Sequence, residues 1–135
     1  METLDWTRIS LATMVDVDKQ VDYWRQGANE DWDVAAKLVE DGKVRHGLFF
    51  AHLALEKALK ALVCRQTQDI PPRIHNLVRL GELAGLKPND RQADLNQFSI
   101  EGRYPEFRRT APNQAEAADY LARSEEVLTW LTQQF

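Results

Sequence analysis

Leu48-Phe-Phe-Ala-His-Leu-Ala-Leu-Glu-Lys-Ala-Leu-Lys-Ala-Leu62 is the stretch whose reading decides the fold. Leu48, His52, Leu55, Leu59 and Leu62 recur at steps of four and three, the spacing that stacks side chains along one face of an α-helix. Phe49, Phe50, Leu53, Ala54, Ala58, Ala61 and Val63 fill much of the remaining circumference. A helix apolar on most sides must be surrounded by other helices or covered by a second subunit. Its few polar residues include Glu56, Lys57 and Lys60. Glu56 and Lys60 stand in the favourable i,i+4 order, worth about 0.3–0.5 kcal/mol on an exposed surface. The pattern predicts a helix from about Val44 to Arg65, with Leu48, His52, Leu55, Glu56, Lys57, Leu59 and Leu62 at the core or a dimer seam.

Outward from this helix the same periodicity continues. Val21, Trp24, Ala28, Trp32, Ala35 and Val39 mark the inward stripe of a helix from about Asp18 to Asp41, which Gly42 stops. Residues 1–16 carry Leu4, Trp6, Ile9, Leu11 and Met14 and read as an N-terminal arm or a short helix, leaving 17–135 as the bundle. Downstream, Asp69-Ile-Pro-Pro72 is a hinge, because proline excludes helix and biases the residue before it towards extended geometry. A short helix is expected from about His75 to Ala84, ending at Gly85. Another starts near Asn89 with Leu95, Phe98 and Ile100 inward, and stops before Gly102 and Pro105. The last begins at Asn113, where Asn113 and Glu116 match a capping box, and turns Tyr120, Leu121, Val127, Leu128 and Leu131 inward. No stretch alternates as a strand would. The fold class is all-α, a four- to five-helix up-and-down bundle.

With 135 residues, 44% of them hydrophobic and 28% charged, the chain suits one globular domain with its own core. Cys64 is the only cysteine, so no intramolecular disulfide can form and a cytoplasmic location is expected. The N-terminus does not read as a signal peptide, and no run approaches the roughly 20 apolar residues of a membrane helix. The net charge of −4 is uneven. Residues 1–41 carry 10 acidic and 4 basic side chains, residues 42–110 carry 7 and 12, and residues 111–135 carry 4 and 1. A basic middle suits an anionic ligand or nucleic acid, and equally suits packing of the middle against the acidic ends.

The common enzyme signatures are absent from the sequence. His46 and His52, six apart, lie on different helix faces, and no CxxC or HExxH spacing accompanies them. Cys64, on the core helix, reads as a small buried apolar residue. There is no Gly-rich phosphate loop and no G-x-S-x-G elbow. No metal is expected, and no cofactor other than a nucleotide ligand.

Two segments carry ligand chemistry. In Pro71-Pro-Arg-Ile-His-Asn-Leu-Val-Arg-Leu80, His75 stands at a helix start, suited to capping or orienting the loop or to touching a ligand, with Arg73 beside it. Glu101-Gly-Arg-Tyr-Pro-Glu-Phe-Arg-Arg109 combines Arg103, Arg108 and Arg109 with Tyr104 and Phe107. Arginine forks suit phosphate and aromatic faces suit a base. The structural alternative packs Tyr104 and Pro105 onto the bundle and pairs the arginines with the acidic first helix.

Taken in order, the Leu48–Leu62 helix, the Pro-Pro-Arg-Ile-His-Asn-Leu segment and the later Gly-Arg-Tyr-Pro resemble HEPN domains (higher eukaryotes and prokaryotes nucleotide-binding) over about residues 20–132. The resemblance implies a four- or five-helix bundle, commonly a homodimer, similar to the C-terminal domain of kanamycin nucleotidyltransferase. It also implies nucleotide binding, or work beside a minimal nucleotidyltransferase, sometimes as toxin and antitoxin. Many HEPN proteins are metal-independent ribonucleases with an arginine followed, after four to six residues, by a histidine. Here Arg103 matches the arginine, but positions 108, 109 and 110 hold Arg, Arg and Thr, so the histidine is missing. Arg45 and His52 match the spacing formally, yet in the core helix and not where the family places its pair. The leading expectation is a binding module for a nucleotide, RNA or a nucleotidyltransferase partner, lined by Arg73, His75, Arg103 and Tyr104. The alternatives are a ribonuclease with a non-standard base, His75 or His52, and a purely structural dimerisation protein.

Overall fold

The chain enters its first helix at Asp16, whose carboxylate accepts the Lys19 backbone N–H at 3.1 Å and so satisfies one of the free donors of the opening turn. In the computed structural model the described residues are 15–87, 94, 95, 97, 98 and 112–135. Among them four helices stand in order: α1 (Val17–Glu40), α2 (Val44–Thr67), α3 (Leu77–Leu83) and α4 (Gln114–Thr132). Residues 94, 95, 97 and 98 are also helical, and no strand occurs among the described residues. The all-α bundle read from the periodicity is the observed fold. Most of the expected N-terminal arm, the start of the expected fourth helix, and Ile100, Gly102 and Pro105 lie outside the described residues.

α2 is the centre. Every residue from Ala58 to Cys64 is buried, which is possible only if neighbours cover the helix on all sides. Leu48, Leu55, Leu59 and Leu62 form the expected seam, and α1, α3 and α4 all pack against it. The helix runs two residues past the expected Arg65, because Gln68 adopts a left-handed φ of 58° and its N–H closes onto the Cys64 carbonyl at 2.8 Å. In α1, Ala28, Ala35 and Val39 are buried and Trp32 packs against the core, as expected. Val21 and Trp24 are only partly buried, and the stripe instead includes Asp31.

α3 starts at Leu77, two residues after the expected His75. Asn76 caps it by accepting the Arg79 N–H at 2.9 Å, which leaves the His75 ring to turn inward. At α4 the capping box is complete in both directions, 2.8 Å from Glu116 N to Asn113 Oδ1 and 3.2 Å from Asn113 N to Glu116 Oε1. Tyr120, Val127 and Leu131 are buried there, with Leu121 and Leu128 packed on the core. Gln114 Nε2 donates to the Val39 carbonyl at 2.7 Å, and Arg65 donates to the Gln134 carbonyl at 2.9 Å. α4 therefore begins beside the end of α1 and ends beside the end of α2, running parallel to α2. Between α3 and α4, Leu95 and Phe98 are buried, and Phe98 meets Tyr120 edge to face at 5.0 Å.

α1 and α2 approach so closely at position 47, in the first turn of α2, that only glycine suits it. A Cβ there would sit 2.5 Å from Val39 Cγ2 and 3.0 Å from the Ala35 carbonyl oxygen. Gly47→Ala is expected to destabilise the fold by about 1–3 kcal/mol through overpacking. Gly27→Ala, which meets only the flexible Lys57 side chain at 3.0 Å, should be far milder. Denaturant melts of both variants check this; equal stability for Gly47→Ala and the parent would contradict it.

Candidate functional site

Near the middle of α2 the helix carries His52, Glu56 and Lys60 at successive steps of four, which places all three on one face. That face is buried: His52 is fully sealed, Glu56 is 4% exposed and Lys60 6%. A carboxylate in such surroundings needs partners. Lys60 Nζ donates to Glu56 Oε2 at 3.3 Å, and His75 Nδ1 donates to Glu56 Oε1 at 3.0 Å from the loop before α3. His52 Nε2 faces Oε1 at 3.6 Å, an electrostatic contact longer than a hydrogen bond. The other His52 nitrogen, Nδ1, lies 3.2 Å from the Phe98 carbonyl, which can only accept, so Nδ1 carries a hydrogen, and Nε2 attracts the carboxylate when it carries one as well.

These partners decide the charge of Glu56. Burial by itself would push the carboxyl upward, but His52, Lys60 and His75 together outweigh it and hold the group at about 2. The surface value for an i,i+4 pair therefore does not apply to Glu56 and Lys60, since both are buried. Lys60 Nζ also lies 5.2 Å from the Trp24 ring centroid, so α1 contributes an aromatic face to the cluster. Lys57, one residue on from Glu56, turns instead to Asp31 of α1 at 2.8 Å.

The outer member of the cluster is His75. Its side chain is 47% exposed, against 6% for the Glu56 side chain that holds it. Nδ1 is engaged by Glu56, and among the described residues Nε2 has no hydrogen-bond partner. The loop thus displays one imidazole edge outward while its other edge is anchored in the core. Arg73, two residues earlier, is exposed on the same loop. Such an arrangement suits an anion: an imidazole edge and a guanidinium, both on a segment fixed at one point. By contrast, an open groove of about 520 Å³ on α4, lined by Ala122, Glu125, Glu126, Thr129, Trp130 and Gln133, carries carboxylates, the wrong sign for phosphate.

Of the residues singled out from sequence, the structure brings His52, Glu56 and His75 into contact and leaves Arg73 exposed nearby in the chain. Leu48, Leu55, Leu59 and Leu62 are core, and Lys57 is an inter-helix partner. Arg103, Tyr104, Arg108 and Arg109 lie outside the described residues. Arg45 is exposed at the start of α2 whereas His52 is sealed, so this formal arginine–histidine pair shares no accessible surface. Sequence reasoning pairs Glu56 with Lys60 but misses His52 as a third member of that face, and Asp31 as a core residue. The i±4 spacing around Glu56 is the available signal for the first, and an acid falling in step with Ala28 and Ala35 for the second.

A family model described as HEPN domain matches residues 21–134. The fold is similar to the crystal structure of TT1696 from Thermus thermophilus, with a TM-score of 0.62 and 20% sequence identity, covering 86% of this chain and 98% of that one. No curated protein matches.

The depressed Glu56 carboxyl has a consequence for acid stability. A carboxyl lowered from 4.5 to about 2 stabilises the fold at pH values above 4.5. That contribution, on the order of 3 kcal/mol, is lost as the pH falls from about 4.5 to 2. Acid unfolding should therefore be shallower in Glu56→Gln over that interval. The same variant should be less stable at neutral pH, because Lys60 is left buried without its counter-charge. Parallel acid and denaturant titrations by circular dichroism check both; identical acid limbs would contradict the assignment.

Proposed function

We propose that this chain, which belongs to the HEPN domain family, is a binding module for the phosphate groups of a nucleotide or RNA. The observation that carries the reading is the buried Glu56 carboxylate holding His75 at 3.0 Å, so that the half-exposed imidazole and the exposed Arg73 are offered from an anchored loop. Family membership supports a nucleotide- or RNA-related role in general. The basic middle of the chain, 12 basic against 7 acidic side chains over residues 42–110, supports an anionic ligand.

The remaining parts of the proposal rest on the family resemblance. The module acts as a homodimer in the cytoplasm, and a minimal nucleotidyltransferase, in a toxin–antitoxin setting, is the partner class to test. Arg103 and Tyr104 extend the proposed site on sequence grounds alone. A ribonuclease reading gains nothing from His52, which is sealed from solvent, and would fall to His75.

The test is binding of a single-stranded RNA oligonucleotide and of ATP at near-neutral pH and low salt, with excess chelator present to expose any metal-independent cleavage. Arg73→Ala should weaken binding by about five- to fiftyfold, the loss of a charge-assisted phosphate contact, and leave the melting temperature unchanged. Arg103→Ala tests the sequence-derived extension in the same way. Undiminished affinity in Arg73→Ala, or no binding of either probe, would refute the site; cleavage of the RNA would make the protein an enzyme.

A further inference from the structure

We propose that His75 is a pH-gated phosphate donor and that Glu56 is its positioning residue, fixing the ring with Nε2 turned outward. This rests on the reading that the anchored loop binds phosphate, and adds how that binding is regulated.

The two ring nitrogens of His75 have unequal roles. With Nδ1–H committed to Glu56 at 3.0 Å, a neutral His75 presents Nε2 as a lone pair, which repels a phosphate oxygen. Only the doubly protonated ring presents Nε2–H as a donor. The Glu56 contact therefore does more than orient the imidazole. It removes the tautomer in which a neutral ring could still donate outward, so phosphate affinity is tied to the charge of the ring. A free surface histidine would lack this coupling, because its neutral form can place the hydrogen on either nitrogen.

The surrounding charges keep the gate on His75. On α2, Glu56 faces His52 and Lys60. Lys60 already offsets the carboxylate, so a proton gained by His75 gives the cluster an added positive charge next to solvent. From α1, the Trp24 ring lies against Lys60, and the nearby acid, Asp31, is occupied by Lys57. From the segment before α4, Phe98 contributes a backbone carbonyl to His52. His52 is fully buried, with Nδ1 bonded to the Phe98 carbonyl and Nε2 sealed beside Glu56, whereas the His75 side chain is 47% exposed. His75 is thus the member of the cluster that can exchange a proton with water and touch a ligand. Imidazole is also the side chain whose charge ordinarily changes near neutral pH.

The test is the pH profile of binding. The probe is an RNA oligonucleotide without terminal phosphates, whose diesters keep a constant charge across the range; ATP forms a second arm. Wild-type affinity for the RNA should fall about three- to tenfold as the pH rises from about 5.5 to 8. His75→Gln, which can donate a hydrogen bond but cannot titrate, should bind with a flat profile; its network at Glu56 retains Lys60 and His52, so the fold is kept. Glu56→Gln, where folded, should flatten the profile, since an amide can also donate to Nδ1 and so lets a neutral ring carry its hydrogen on Nε2. His46→Gln serves as a control and should leave the profile unchanged, because His46 is the chain's remaining exposed histidine. In the ATP arm the nucleotide's own terminal phosphate titrates near pH 6, and the difference between wild type and His75→Gln isolates the protein's part. A profile that persists in His75→Gln overturns the inference while leaving phosphate binding intact. Absence of binding by either probe at every pH overturns the binding reading itself, and the inference with it.

Discussion

A carboxylate in the middle of an apolar helix constrains everything around it. Glu56 is 4% exposed on the helix that the whole bundle surrounds, and an unpaired buried charge costs more than a small domain can tolerate. The structure meets that demand from four directions. Lys60 supplies a counter-charge from the next turn of α2, and His52 faces the same oxygen from the preceding turn. His75 reaches in from the loop before α3, and Trp24 of α1 lies against the lysine. One charge therefore links α2 to the hinge loop directly. Through His52 and the Phe98 carbonyl it also links α2 to the segment ahead of α4.

That linkage explains why a loop containing two prolines has a defined position. Pro71 and Pro72 cannot contribute backbone N–H groups, so the loop has few ways of fixing itself to the bundle. Asn76 secures its far end by capping α3, and Gln68 closes its near end with a left-handed turn. Between them His75 is the tether. The residues displayed by the loop are consequently held in place by the core, the condition under which a small number of polar groups can bind a ligand selectively.

Much of this is legible in the sequence, for identifiable reasons. The Leu48–Leu62 seam is visible because periodicity at steps of three and four reports burial directly, and the Asn113–Glu116 box is visible because its chemistry is local. Asp31 is not, since an acid on an amphipathic helix reads as surface until its partner, Lys57 on another helix, is known. The sequence alone starts α3 at His75, because both His75 and Asn76 are polar residues ahead of an apolar run. Only the tertiary contact to Glu56 shows which of them caps and which turns inward. Glu56, His52 and Lys60 share a face by spacing alone, but their meeting with a residue 19 positions later is a product of the bundle. Arg103, Tyr104, Arg108 and Arg109 remain readings of sequence, outside the described residues.

The central claim is that Glu56 and His75 act as a pair that anchors the loop. A double-mutant cycle on folding stability tests it most directly, using Glu56→Gln, His75→Gln and the combined variant at one fixed pH. A coupling of about 0.5–3 kcal/mol is predicted, the range for contacting residues within one polar network. Additive effects, with the double variant losing the sum of the two single losses, would show that the two side chains do not depend on one another and would contradict the account.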